Sequence, residues 1–179
     1  MDNIILIGLT GKALSGKNTV ADYLTKRFNA KQYAFATPLK QLAKDLFFWD
    51  GSKEMLPEPD KGRNLLIGIG NKLRDVRPTV WADFTLKQIE EYAKTNPPAR
   101  ICTITDLRYQ NEAKLIQQAG GFIVRVQRPV GALQLEHISE TELDDYKYDY
   151  TIINNGTLEE LYARSDEVLQ AITMSATWS

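Results

Sequence analysis

The stretch GLTGKALSGKNTVADYL, residues 8–24, sets a glycine-rich, lysine-bearing turn directly after an apolar run. Residues 4–9 are almost continuously apolar, which suits a central strand of a parallel sheet covered on both faces. Residues 18–28 then carry Val20, Ala21, Leu24 and Phe28 at helical spacing. Between the two, Gly11-x4-Gly16-Lys17 has the spacing of a phosphate-binding loop. Glycine lets successive backbone N–H groups turn inward around an oxyanion. The helix start adds unsatisfied N–H groups and a favourable dipole, and Lys17 can reach the outer phosphates. Gly11, Lys12, Ala13, Ser15, Gly16, Lys17, Asn18 and Thr19 are therefore the candidate nucleotide-binding residues. A glycine-rich turn with a merely solvated lysine is the bland alternative. It gives no reason for strand, loop and helix to arrive in that order.

Composition narrows the class. A chain of 179 residues suits one domain, residues 1–179, with room for a core that needs no cross-links. The 22 Lys and Arg are balanced by 23 Asp and Glu, so the net charge gives no support for binding a nucleic-acid polymer. The one cysteine, Cys102, lies in an apolar run, which excludes an internal disulfide framework and points to a buried, inert thiol. The one histidine, His137, excludes a histidine-based metal cluster. No basic leader with a long apolar stretch opens the chain, and no apolar run approaches the roughly 20 residues of a membrane span. The expectation is a cytoplasmic protein with no membrane partner.

Strands alternate with helices along the chain, which predicts a three-layer α/β fold with a mostly parallel five-stranded sheet. KQYAFA (31–36) predicts the second strand, and Thr37 and Pro38 predict the N-cap and first residue of a helix through Phe48. Residues 49–62 predict a loop, and 61–76 and 79–94 predict helices. The second of these sets Trp81, Phe84, Ile89 and Tyr92 on its apolar side. RICTIT (100–105), FIVRVQ (122–127) and DYTIINNG (149–156) hold the remaining strands, with a helix over 111–118. Thr157 and Glu160 form a capping box for a last helix that buries Leu158, Leu161, Val168, Leu169 and Ile172. Residues 49–98 and 128–148 fall outside this minimal alternation. They are expected to be substrate-facing insertions, which the family resemblance carried by the motifs quoted below makes an acceptor-binding insertion and a lid.

Ligands of such sheets bind outside the carboxyl ends of the strands. That rim gathers residues 10–19, 36–40, 106–112, 127–128 and 154–157. Asp106 ends an apolar strand there. It is a candidate to hold a metal-bound water or to accept a hydrogen bond from a ligand hydroxyl, which in the family resembled below is the acceptor sugar; a helix N-cap or an ion pair with Arg108 are the alternatives. Lys40, Arg74, Arg77, Arg108 and Arg128 are the candidate cations, each with a surface ion pair as its alternative. Trp81 offers a face to stack on a base, or else belongs to the core. Asn111 and Glu112 are candidates for sugar or base contacts, or for local capping.

Several segments carry a resemblance to a known family. FATPLKQLA, GNKLRDVRPTVW, ITDLRYQNEA, GGFIVRVQRP, HISETELDD and DYTIINNGTLEEL occur in the order found in phage-type deoxynucleoside monophosphate kinases. The chain resembles that family over nearly its whole length. The resemblance implies transfer of the terminal phosphoryl group of ATP, with Mg2+, to a deoxynucleoside monophosphate for deoxynucleotide supply in DNA synthesis. It assigns Arg74 and Arg108 to the acceptor phosphate, Arg128 to the transferred phosphoryl group, and Asn155 and Gly156 to the border of the donor adenine. Taken with the rim positions, the expected catalytic set is Lys17, Asp106 and Arg128, and the expected acceptor-binding set is Lys40, Arg74, Trp81, Arg108, Asn111 and Glu112. Asn18 stands where a hydroxyl residue commonly meets Mg2+. The GK-x-T form, with Thr19 displaced by one, resembles nucleoside monophosphate kinases in which Mg2+ is held largely through water. Direct coordination by the Asn18 amide oxygen remains the alternative, with Asp106 the other metal-side candidate. His137 stays outside the catalytic set, because an acceptor phosphate is already an anion. The resemblance leaves a homodimer open. The alternatives are another small-molecule kinase of this fold, such as a dephospho-coenzyme-A or phosphomevalonate kinase, or a nucleotide-binding regulatory module. For a viral chain the expected compartment is the host cytoplasm.

Overall fold

The computed structural model describes residues 4–52, 54, 56, 58, 60–95, 100–129 and 142–176. Five strands form the sheet: β1 (Ile5–Thr10), β2 (Lys31–Tyr33), β3 (Ile101–Ile104), β4 (Phe122–Gln127) and β5 (Tyr150–Ile153). They pair in the order β2-β3-β1-β4-β5, every pair parallel. β1 is central, with Gly8 opposite Ile104 on one side and Ile123 on the other. The three-layer α/β fold expected from the sequence is the fold observed.

Six helices are described: α1 (Lys17–Phe28), α2 (Ala36–Phe47), α3 (Gly62–Val76), α4 (Val80–Lys94), α5 (Gln110–Gln118) and α6 (Leu158–Ala176). Strand alternation divides the core between the two faces. Leu6 packs with Phe35, Trp81, Ile89 and Ile116 on one face. Ile7 and Leu9 pack with Val20, Leu24, Leu161 and Ile172 on the other. Cys102 is fully buried, and burial pushes its thiol up to about 11, so it is an inert core residue.

Local readings hold at most boundaries and fail at one place that matters. β2 stops at Tyr33, and α2 begins at Ala36 with Phe35 at the N-cap, so Thr37 is not the cap and Pro38 is the third helical residue. Proline is tolerated there because first-turn N–H groups have no intrahelical partner. The cap comes from 70 residues away: Asp106 Oδ1 accepts from Phe35 N at 2.8 Å and Oδ2 from Ala36 N at 2.9 Å. Phe84 and Leu158, expected inward, are about half exposed at 49% and 48%. The Thr157–Glu160 capping box is present, with Thr157 N donating to Glu160 Oε2 at 2.9 Å and Glu160 N to Thr157 Oγ1 at 3.3 Å. No helix among the described residues is long and apolar enough to cross a membrane.

Candidate active site

The loop between β1 and α1 is a cradle shaped by backbone handedness. Gly11 (φ 138°), Leu14 (φ 61°) and Gly16 (φ 109°) all take positive φ. A Cβ on Gly11 would lie 2.1 Å from the Val126 carbonyl oxygen, so β4 approaches too closely for any other residue there. Leu14 adopts the left-handed conformation without glycine's freedom, and its side chain is 70% exposed. Such backbone strain is concentrated at ligand clamps. Within the loop the Ser15 hydroxyl is buried and has no hydrogen-bond partner among the described residues. Lys17 Nζ folds over the loop and donates to Gly11 O at 2.6 Å and Lys12 O at 2.8 Å.

A cleft of about 540 Å³ opens from this loop along the carboxyl ends of the strands. That size lies in the ordinary range for small-molecule sites. Residues 10–19 form one wall. Lys40 from α2, Asp106 and Arg108 from the end of β3, and Arg128 beyond β4 complete it. These side chains come from segments more than 100 residues apart, and the parallel sheet brings them to one rim. Cations outnumber acids around the cleft, as a site for phosphates requires.

Asp106 has a double placement. It lines the cleft while both carboxylate oxygens hold the first amides of α2. The N-cap alternative is therefore what the geometry shows, and the helix it caps carries Lys40.

The other residues expected at the acceptor site do not line this cleft. Trp81 is 5% exposed and packed in the core, with Nε1 donating to Gly70 O at 3.4 Å. Asn111 Nδ2 donates to Pro78 O at 3.1 Å, and Asn111 Oδ1 accepts from Glu112 N at 2.8 Å. Glu112 is 3% exposed; its Oε2 accepts from Arg108 N at 3.1 Å and Tyr109 N at 3.2 Å. Arg74 Nη2 lies 3.7 Å from Glu112 Oε1, and its guanidinium sits over the Tyr109 ring. Burial pushes the Glu112 carboxyl up to about 7, against the two amides and Arg74, which favour the charged form. Arg77 pairs with Asp83 at 2.7 Å. Asn155 is exposed and accepts from Arg164 at 2.6 Å, and neither it nor Gly156 lines the cleft.

Asn154, expected on the rim without a role of its own, and Arg125 make cleft contacts that the expected site residues do not include. Asn154 Nδ2 donates to Ser15 O at 2.9 Å, tying β5 to the phosphate loop. Arg125 of β4 donates to Asp144 Oδ1 at 3.0 Å and Tyr148 Oη at 3.2 Å. A charged residue in the middle of FIVRVQ is the signal that could have marked Arg125. The segment after residue 141 is fastened further: Gln110 N donates to Glu142 Oε1 at 3.0 Å and Tyr146 Oη to Gln117 Oε1 at 2.7 Å. The rest of the expected lid, residues 130–141 with His137, lies outside the described residues.

Comparison with known proteins decides the family. A family model described as deoxynucleotide monophosphate kinase matches residues 63–165. The chain belongs to the deoxynucleotide monophosphate kinase family. The match begins after the phosphate loop, so it is independent of the Gly11-x4-Gly16-Lys17 argument. A protein of Acanthamoeba polyphaga mimivirus bearing the same family designation is 34% identical over 182 residues, covering 90% of this chain and 94% of the relative. Uncharacterized protein ORF76 of Ictalurid herpesvirus 1 (strain Auburn) is 27% identical over 175 residues, covering 95% of this chain and 69% of that protein. Among solved structures, a shikimate kinase from Aquifex aeolicus matches with a TM-score of 0.50 and 16% identity, over 98% of this chain and 100% of that one. A dephospho-CoA kinase from Campylobacter jejuni matches with a TM-score of 0.51 and 17% identity, over 93% of this chain and 96% of that one. At such identities they show the shared fold. As a deoxynucleotide monophosphate kinase family member, the chain is a P-loop phosphotransferase that uses a nucleotide and acts on a small nucleotide-like substrate.

Proposed function

We propose that the protein transfers the γ-phosphoryl group of ATP to a deoxynucleoside monophosphate, giving the diphosphate and ADP. The observation that carries this reading is the single cleft in which the phosphate loop faces Lys40, Arg108 and Arg128. A reaction between two anions needs such a shared cationic enclosure. The donor phosphates fit the loop: its backbone turns through positive φ at Gly11, Leu14 and Gly16, and the buried Ser15 hydroxyl lacks a protein partner among the described residues.

Mg2+ fits the oxygen chemistry of Asn18, Thr19 and Asp106, a set too sparse to cage a metal without phosphate and water. Asp106, already accepting two amides, suits contact through water, and Thr19 suits a phosphate. When bound with the donor, Mg2+ neutralises phosphate charge.

The chain supplies positioning and charge. Lys17 exchanges the carbonyls of Gly11 and Lys12 for phosphate oxygens and follows the charge as it moves. Arg128 bridges the transferred group. Lys40 and Arg108 hold the acceptor phosphate in the cleft, and Arg74 of α3, seated against Glu112 beside the Arg108 turn, adds its charge to theirs. No general base is required, because the attacking oxygen is already anionic. Leu143, Asp144 and Tyr148, which line the cleft, help to exclude water, which would otherwise compete as acceptor.

The test is a panel of dTMP, dGMP, dCMP and dAMP, their ribose counterparts and dephospho-coenzyme A, each with ATP and Mg2+. The reading expects deoxynucleoside diphosphates, with ADP released one for one. Turnover confined to dephospho-coenzyme A would replace this acceptor class while retaining the phosphate loop.

A further inference from the structure

We propose that Glu112 is a positioning residue that holds Arg74 and the Arg108 loop in register for the acceptor phosphate. This rests on the reading that Arg74 and Arg108 anchor that phosphate.

Glu112 cannot reach a ligand in the observed cleft. Its side chain is 4% exposed and does not line the opening. Its two oxygens face different structures instead. Oε2 takes the amides of Arg108 and Tyr109, fixing the turn that delivers the Arg108 side chain to the cleft. Oε1 faces Arg74 of α3 at 3.7 Å. Capping α5 accounts for Oε2 alone. It gives no reason for a second, buried oxygen to address a cation from another helix. The Tyr109 ring completes the seat, with its centroid 4.8 Å from the guanidinium carbon of Arg74. One carboxylate thus joins a cleft arginine and a second arginine on a separate element.

The charge on Oε1 is what separates this role from capping. An amide at position 112 can still accept from Arg108 and Tyr109, but it presents an N–H group to Arg74. A protonated carboxyl does much the same. The charged groups facing Glu112 are Arg74 from α3, which favours the carboxylate, and Asp106 at the end of β3, which opposes it. Burial opposes it further, so the attraction for Arg74 weakens as pH falls through about 7.

The experiment compares Glu112→Gln, Glu112→Ala and Arg74→Ala with the parent enzyme, using dNMP acceptors, ATP and Mg2+. Glu112→Gln is expected to fold and melt close to the parent and to raise acceptor KM roughly 5- to 10-fold, as for one lost charge-assisted contact. Its ATP KM and kcat should stay within about twofold, since no transition-state contact is removed. Arg74→Ala should raise acceptor KM at least as much. Between pH 8 and pH 6 the parent's acceptor KM should climb toward that of Glu112→Gln. The variant should retain only the titration of the acceptor phosphate itself, near pH 6. Glu112→Ala loses the cap as well and is expected to melt lower, so the glutamine variant carries the decision. A folded Glu112→Gln with the parent's acceptor KM and pH profile overturns the proposal if Arg74→Ala raises KM. If Arg74→Ala leaves KM unchanged, the acceptor-anchor reading falls and the proposal falls with it.

Discussion

Asn154 Nδ2 donates to the carbonyl of Ser15 at 2.9 Å, so the end of β5 is fastened to the phosphate loop across 139 residues of sequence. The bond holds the loop in its cradle shape before any ligand arrives. Removing it leaves the Ser15 carbonyl free to turn toward the phosphates. Asn154→Ala should raise ATP KM about fivefold, the value of one hydrogen bond of about 1 kcal/mol, and leave acceptor KM nearly unchanged. Steady-state kinetics with each substrate varied in turn checks this split.

Two glycines of the loop should differ in their tolerance of alanine. At Gly11 the added Cβ meets the Val126 backbone 2.1 Å away, and β4 cannot retreat. At Gly16 it meets the Asn154 side chain at 2.7 Å, which can move. Both positions carry a positive-φ penalty of about 1–2 kcal/mol. Gly11→Ala should therefore lose the rise in melting temperature caused by ATP, while Gly16→Ala should retain part of it. Thermal melts with and without nucleotide compare the two.

Lys17 tests the loop's chemistry rather than its shape. Lys17→Ala removes the ammonium that now bridges Gly11 O and Lys12 O and that would follow the moving charge. A loss in kcat of about 10²-fold or more is expected, the scale of one lost electrostatic clamp. The folded variant's turnover with saturating ATP measures it.

Asp106→Asn should damage both stability and transfer. One oxygen becomes an N–H donor facing the N–H of Phe35 or Ala36. Loss of a cap of this kind costs about 1 kcal/mol. Urea denaturation should show that loss, and because α2 carries Lys40, acceptor KM should rise in the same variant.

Glu112 predicts a pH dependence of stability with a definite sign. Its carboxyl is raised from 4.5 to about 7 in the folded protein, chiefly by burial. The native state therefore holds this proton more tightly than the unfolded chain. The contribution is full below about 4.5 and is lost as pH rises through about 7. Relative to Glu112→Gln, the parent should lose stability between those values. Denaturation of both proteins across that range isolates the difference from other carboxylates.

The parts legible in the sequence were those encoded locally. Residues 11–17 announce a phosphate loop because strand, turn and helix are contiguous. FIVRVQ matches β4 residue for residue, and Thr157 with Glu160 caps α6 as read. The failures come from distant partners. The start of α2 was misplaced because its cap is Asp106 and not a residue of its own. Asn154 and Asn155 share the expected rim, and only the returning β5 strand shows which asparagine faces the loop. Trp81 and Glu112 carry the right chemistry for a ligand, but burial depends on α3, α4 and α5 packing together, which spacing along one helix does not reveal.

The most direct test of the central claim follows the phosphoryl group itself. ATP carrying 18O in the non-bridging oxygens of its γ-phosphoryl group is incubated with Mg2+ and a mixture of deoxynucleoside monophosphates, and the products are resolved by mass spectrometry. The account predicts label in the β-phosphoryl of a deoxynucleoside diphosphate, in amounts equal to the ADP formed. Label found only in inorganic phosphate, with the monophosphates unchanged, would contradict it.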